Sequence, residues 1–128
     1  MSYKPYKGAT LLIPHNGVPH LFVVMNDPCE KGLCLLVMIS SIKANKHHDD
    51  ACVLKKGDHK FITHSSYAVY RIANQSRADH LSSMVDKNYF TPKEDVASSL
   101  YDRLLAGFAA SEEATNSMLA YLKSVKLL

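Results

Sequence analysis

Cysteine is scarce and unpatterned in this chain. There are three, Cys29, Cys34 and Cys52, and no C-x-x-C spacing. An odd count at unrelated spacings argues against an oxidised secreted framework and for reduced thiols, as in a cytoplasm. Long apolar runs are missing as well. The longest, LCLLVMI at 33–39, falls far short of the roughly 20 residues that cross a bilayer. The opening MSYKPYKG has no apolar stretch, so no secretory leader is expected. A strong charge of one sign is also missing. With 15 Lys+Arg against 12 Asp+Glu the formal charge is +3, which permits contact with phosphate without demanding it. No internal repeat, low-complexity tract or linker interrupts the chain. What remains is 128 residues, 47% hydrophobic and 21% charged. That is the length and composition of one globular domain, 1–128, able to bury a core without staples. A cytoplasmic protein with no membrane partner is the expectation.

The first half reads as strands. ATLLI (9–13) is a short apolar run ended by Pro14. HLFVVM (20–25) follows a turn written by Asn16, Gly17 and Pro19. LCLLVMISS (33–41) is a third run, after a turn in which Gly32 can take a positive φ. ACVL (51–54) is a fourth. SYAVYRIA (66–73) is a fifth, with Tyr67, Val69 and Arg71 on one face and Ala68, Tyr70 and Ile72 on the other. No connector is long enough for a crossover helix, so the strands should be antiparallel. The second half changes period. Thr91 as a cap, Pro92 at the first helical position and Glu94 closing a capping box predict a helix over 92–107, with Gly107 as its stop. Val96, Leu100, Leu104 and Phe108 form its apolar stripe. Ser111 and the acids after it predict a second helix over 112–125, antiparallel to the first. Residues 74–90 stay ambiguous, with SRADHLSSMV able to form a third helix. The expected fold is thus a β-rich α+β one: a small, partly open antiparallel barrel over 9–73 and a helical hairpin over 91–128. Leu12, Phe22, Val24, Leu35, Val37, Leu100, Leu104 and Leu122 should be core.

The chemistry-bearing residues cluster in KKGDHKFITHSSYAVYR (55–71). His59, His64 and Arg71 supply acid–base groups and a phosphate-pairing cation, and are the candidate catalytic residues. Lys60, Ser65, Ser66 and Tyr67, with Ser40 at the end of the third run, are the candidate binding residues around them. Metal-free RNA cleavage needs this set: a group to take the 2′-OH proton, another to protonate the leaving oxygen, and a cation for the developing charge. The plainer reading makes Gly57-Asp58 a turn, Phe61 and Ile62 core, and the histidines strand positions. HHDDAC (47–52) with His59 and His64 contains usable metal ligands, but in no zinc spacing, so neither a metal nor a cofactor is expected. A Cys52–His59 nucleophile pair has nothing local to activate it. Tyr67, Tyr70, Tyr89 and Phe90 could stack on bases or pack across strands.

The order of strand, turn, apolar strand, long apolar strand ending in SS, polar loop, then LKKGDH before SYAVY, with Leu81 and a late amphipathic helix, resembles the PemK/MazF-like group of bacterial and phage proteins. The resemblance covers about two thirds of the chain. It implies an SH3-like barrel, a ribonuclease activity, a homodimer and an antitoxin-like peptide partner. Ser40 and Ser41 stand where that family carries a Ser/Thr after the central strand. Its early-loop arginine has no counterpart in 14–19, where His15 and His20 flank the turn instead. The other function class this departure leaves open is a non-catalytic phage or mobile-element module acting through protein–protein contacts.

Overall fold

A computed structural model describes residues 2–128. The elements run β1 (Thr10–His15), β2 (Val18–Val24), β3 (Leu33–Ser41), β4 (Val53–Leu54), β5 (Ser66–Arg77), α1 (Ala78–Asp86), β6 (Thr91–Lys93), α2 (Ser98–Ala110) and α3 (Asn116–Ser124). The strands form one antiparallel sheet of six in the order β4-β5-β3-β2-β1-β6, curved into a half-barrel. The fold is β-rich α+β, as the run of short apolar segments predicts.

The central strand explains the two-sided core. From Cys34 to Ile39 every residue of β3 is buried, the signature of a strand covered on both faces. Alternation then divides its side chains. Leu35, Val37 and Ile39 join Leu21, Val23, Ala68 and Tyr70 on the inner face, beneath Leu100, Leu104, Phe108 and Leu122 of α2 and α3. Cys34 and Leu36 join Leu11 and Val24 on the outer face, covered by Leu81 of α1. Two phenols pin α2 to the sheet: Tyr70 Oη donates to Leu104 O (2.8 Å) and Tyr101 Oη to Met25 O (2.6 Å). Burial drives the Tyr101 phenol up to about 12 and the Tyr70 phenol well above its ordinary range. Of the expected core, Val24, Leu35, Val37, Leu100, Leu104 and Leu122 are buried, whereas Leu12 and Phe22 are half-buried at the margins of the two clusters.

The helical part corrects the sequence in three places. Thr91–Lys93 is a strand, paired with Thr10–Leu12 of β1. Its Pro92 sits on the sheet's edge, where a missing N–H costs nothing. The capping box at Thr91 therefore does not form, and the helix begins seven residues later, at Ser98. Gly107 is not a stop. It lies inside α2, where Tyr70 packs so close that a Cβ would fall 2.7 Å from its ring carbon Cζ. The last helix begins at Asn116, not 112, because Thr115 is its cap and accepts from Met118 N (3.2 Å). Ser111 instead ties the connection between the helices, accepting from Glu113 N and Ala114 N. The ambiguous stretch 74–90 resolves into the end of β5 and α1. No helix among the described residues is long and apolar enough to cross a membrane.

Candidate functional site

The end of the sheet that carries the β1–β2 turn, the last residues of β3 and the start of β5 holds two adjoining clefts. The smaller, about 170 Å³, opens toward the inner face and includes His64, Ser41 and Ile62. The larger, about 450 Å³, lies on the outer face and includes Arg71, Tyr67 and His47. Val18, His20, Ser40, Ser41 and Lys43 line both, so the clefts meet over the end of β3. Strand register builds this rim. Ser40 pairs with Tyr67 and Ser41 with Ser66, while Ile13 pairs with His20. Alternation along β5 places Arg71 on the face of Tyr67, away from the buried Ala68 and Tyr70.

The lining has one sign. His15, His20, His47 and His64, four of the seven histidines, share it with Lys43, Lys46 and Arg71. No Asp or Glu among the described residues lines either cleft. His64 stands in a chain of hydroxyls. Its Nε2 is 2.5 Å from Ser41 Oγ and its Nδ1 3.2 Å from Thr63 Oγ1. If Ser41 donates to Nε2, Nδ1–H donates to Thr63, which leaves Nε2 as the basic nitrogen. His20 is oriented from the other side, its Nδ1–H donating to Val18 O at 2.9 Å, so its Nε2 is left for the cleft.

The structure brings His64, Arg71, Ser40 and Tyr67 of the expected set to this rim, and Ser66 to its floor, where the side chain is buried and donates to His64 O (3.0 Å). Ser65 is exposed beside His64. It does not bring His59. That ring is buried, its Nε2–H donating to Glu94 O (2.6 Å) and its Nδ1 accepting from Phe61 N (3.0 Å). Glu94 follows β6, and its carbonyl also accepts from Thr10 Oγ1 (2.7 Å). His59 thus latches the loop after β4 to the far edge of the sheet, and Lys60 reinforces the latch through the Glu94 carboxylate at 3.5 Å. The Gly-Asp pair before it is a turn. Asp58 Oδ2 accepts from Lys55 N (2.9 Å) and its Oδ1 faces Arg103 of α2 at 3.4 Å.

Sequence reasoning expects the polar loop 43–50 beside the cluster but does not single out Lys43, Lys46 or Glu113. The lysines sit in the polar loop after β3, and only the register that returns this loop to the β1–β2 turn reveals them. The loop's histidines are spoken for: His47 pairs with Glu113 (2.6 Å) and His48 with Asp50 (2.8 Å). Among the described residues no three His, Cys, Asp or Glu side chains converge in a way that could hold a metal ion.

A larger cavity, about 970 Å³, opens elsewhere, between the β2–β3 connection and α3. Its polar groups serve each other. Asn26 Nδ2 donates to Tyr121 Oη (3.0 Å), Tyr121 Oη to Leu33 O (3.0 Å), and Leu35 N to Asn26 Oδ1 (2.8 Å). Cys29 lies there, its thiol held below the ordinary range by a hydrogen bond with Tyr121 and by backbone N–H groups that outweigh its slight burial. The cavity mixes Lys7 and Lys31 with Asp27 and Glu30 and has no imidazole in its lining. Size alone favours it; chemistry favours the rim. In comparisons with known proteins the chain matches no family model and no curated protein.

Proposed function

We propose that the rim binds single-stranded RNA and cuts it without a metal, in the manner of a PemK/MazF-like endoribonuclease toxin. The observation that carries this reading is the lining: four imidazoles and three long cations, with no Asp or Glu of the described residues in it and Glu113 meeting His47 and Arg71 from outside. Lys43 and Arg71 are placed to hold phosphates, and Tyr67 offers a ring to a base. His64 takes the proton of a ribose 2′-OH, directly or through Ser41. The 2′ oxygen bonds to phosphorus, the bond from phosphorus to the 5′ oxygen breaks, and a protonated His20 gives that oxygen its proton. A 2′,3′-cyclic phosphate and a 5′ hydroxyl result. The same reading takes the half-barrel as SH3-like and α2 with α3 as a C-terminal helical hairpin. It carries with it a homodimer, an antitoxin-like peptide partner and a cytoplasmic location.

A second reading, a non-catalytic phage or mobile-element module that docks on other proteins, is favoured by two apolar side chains. Val18 and Phe61, 55% and 41% exposed, flank the smaller cleft. Incubating the protein with a mixed RNA pool, with and without a chelator, separates the readings. Cyclic-phosphate ends that form equally with the chelator and vanish in His64→Ala support the nuclease. Cleavage that the chelator stops, or that survives His64→Ala, removes it. Bound but intact RNA removes the cleavage step and leaves the interface.

A further inference from the structure

Glu113, in the connection between α2 and α3, does not line the outer-face cleft but pairs with two residues that do. Its Oε2 accepts from His47 Nε2 at 2.6 Å, and its Oε1 lies 3.9 Å from Arg71 Nε. The two donors come from different elements, the loop after β3 and the middle of β5, and both line the cleft. One anion thus sits between them, hydrogen-bonded to His47 and within ion-pair reach of Arg71, where two oxygens of a tetrahedral phosphate would also fit. The backbone that carries Glu113 is held in place. Ser111 Oγ donates to Asp49 Oδ2 (2.5 Å) while accepting from the backbone N–H groups of Glu113 and Ala114. Asp49 is buried and itself accepts from Ala51 N (2.9 Å). Glu113 is the more shielded member of both pairs, 27% exposed against 75% for His47 and 58% for Arg71.

We propose that His47 and Arg71 form a phosphate seat which Glu113 occupies as an internal mimic, so that the α2–α3 connection is an autoinhibitory strap at the edge of the RNA-binding rim. The proposal rests on the RNA reading for its ligand, but the seat and its occupant are tested with phosphate alone. A ligand phosphate must displace the carboxylate, and a change that lifts the connection opens the seat.

The test compares the full chain with Glu113→Gln, which keeps shape and loses charge, and with the double variant Glu113→Gln/Arg71→Ala. Inorganic phosphate is titrated while the His47 ring signals are followed by NMR. Half-saturation should fall about three- to fivefold in Glu113→Gln, the scale of a partly exposed ion pair, and the gain should vanish in the double variant. Unchanged half-saturation in Glu113→Gln, or a gain that persists without Arg71, overturns the proposal. A short single-stranded RNA is then bound to the same proteins. RNA that binds both equally leaves the RNA reading standing and removes the strap. A phosphate gain with no RNA binding by either leaves the strap and removes the RNA reading.

Discussion

Tyr70 occupies the space that a side chain at position 107 would need. Its ring is fully buried, packs edge-on to Phe108 at 4.6 Å and is fixed by its bond to Leu104 O, so it has nowhere to move. In an exposed helix Gly→Ala gains about 1 kcal/mol. Here the overlap dominates, and Gly107→Ala should lower stability by about 1–3 kcal/mol, the usual cost of overpacking. Adding Tyr70→Phe should cost less in that background than alone, because the two positions share one space. Urea midpoints at constant m-value check both. Asp58 gives a pH dependence. Burial alone would raise its pKa, but the Lys55 N–H and the Arg103 guanidinium outweigh it, so the folded value lies below the ordinary one. The unfolded chain then holds its proton more tightly, so this contribution is present above about pH 4 and fades as pH falls through the lower, folded value. Asp58→Asn should cost about 0.5–2 kcal/mol near neutral pH, and the gap to the parent should close in acid. A gap that stays constant from neutral pH into acid would show that the charge is not what holds the turn. The two histidines of the same stretch should part company as well. His59→Ala removes a buried ring and two hydrogen bonds and should cost about 2–3 kcal/mol. His64→Ala, on an exposed ring, should leave stability within about 0.5 kcal/mol and abolish cleavage.

At the scale of elements, legibility followed burial. β3 is found over the residues 33–41 that its run predicts, because burial on both faces makes Cys34–Ile39 continuously apolar and only the half-buried Ser40 and Ser41 at its end are polar. The strand-like alternation of 66–73 continues to Arg77, past the register shift opposite Leu36 and Met38, where polar Asn74 and Gln75 look like loop but still pair with β3. The helix starts misled for a physical reason. A proline's φ near −65° suits the first turn of a helix and an edge strand alike. Which one Thr91–Lys93 adopts is decided by the free edge of β1, eighty residues away in the chain, and no local pattern carries that. The real cap and the apparent one can be told apart by mutation. Thr115→Ala should cost about 1 kcal/mol, as a lost N-cap does. Thr91→Ala, an exposed edge position without a capping bond, should cost under about 0.5 kcal/mol. Equal losses in thermal melts would restore the capping box.

At the scale of the whole molecule, the candidate site was half legible. The chemistry of His64, Tyr67 and Arg71 is visible in one contiguous stretch, and the loop 43–50 is expected beside it, but His15 and His20 come from the β1–β2 hairpin, which only the folded sheet brings to the rim. His59 was misplaced for the same reason: its partner, Glu94 O, is distant in sequence. The net charge of +3 is too small to draw RNA from afar, so any binding has to come from where the cations sit. Three of them, Lys43, Lys46 and Arg71, line the outer-face cleft, and Arg71 is shared with Glu113. Each phosphate contact on a single strand contributes about 0.7 to the slope of log affinity against log salt. The parent protein should therefore show a shallow slope of about 2, fewer than a dedicated nucleic-acid binder gives. Lys43→Ala and Arg71→Ala should each remove about 0.7 of it, and together about 1.4. Lys123→Ala and Lys126→Ala, at the end of α3 and just beyond, should leave it unchanged. If the α3 pair lowers the slope as much as the rim pair does, the contact is spread over the surface, and the rim is not the interface.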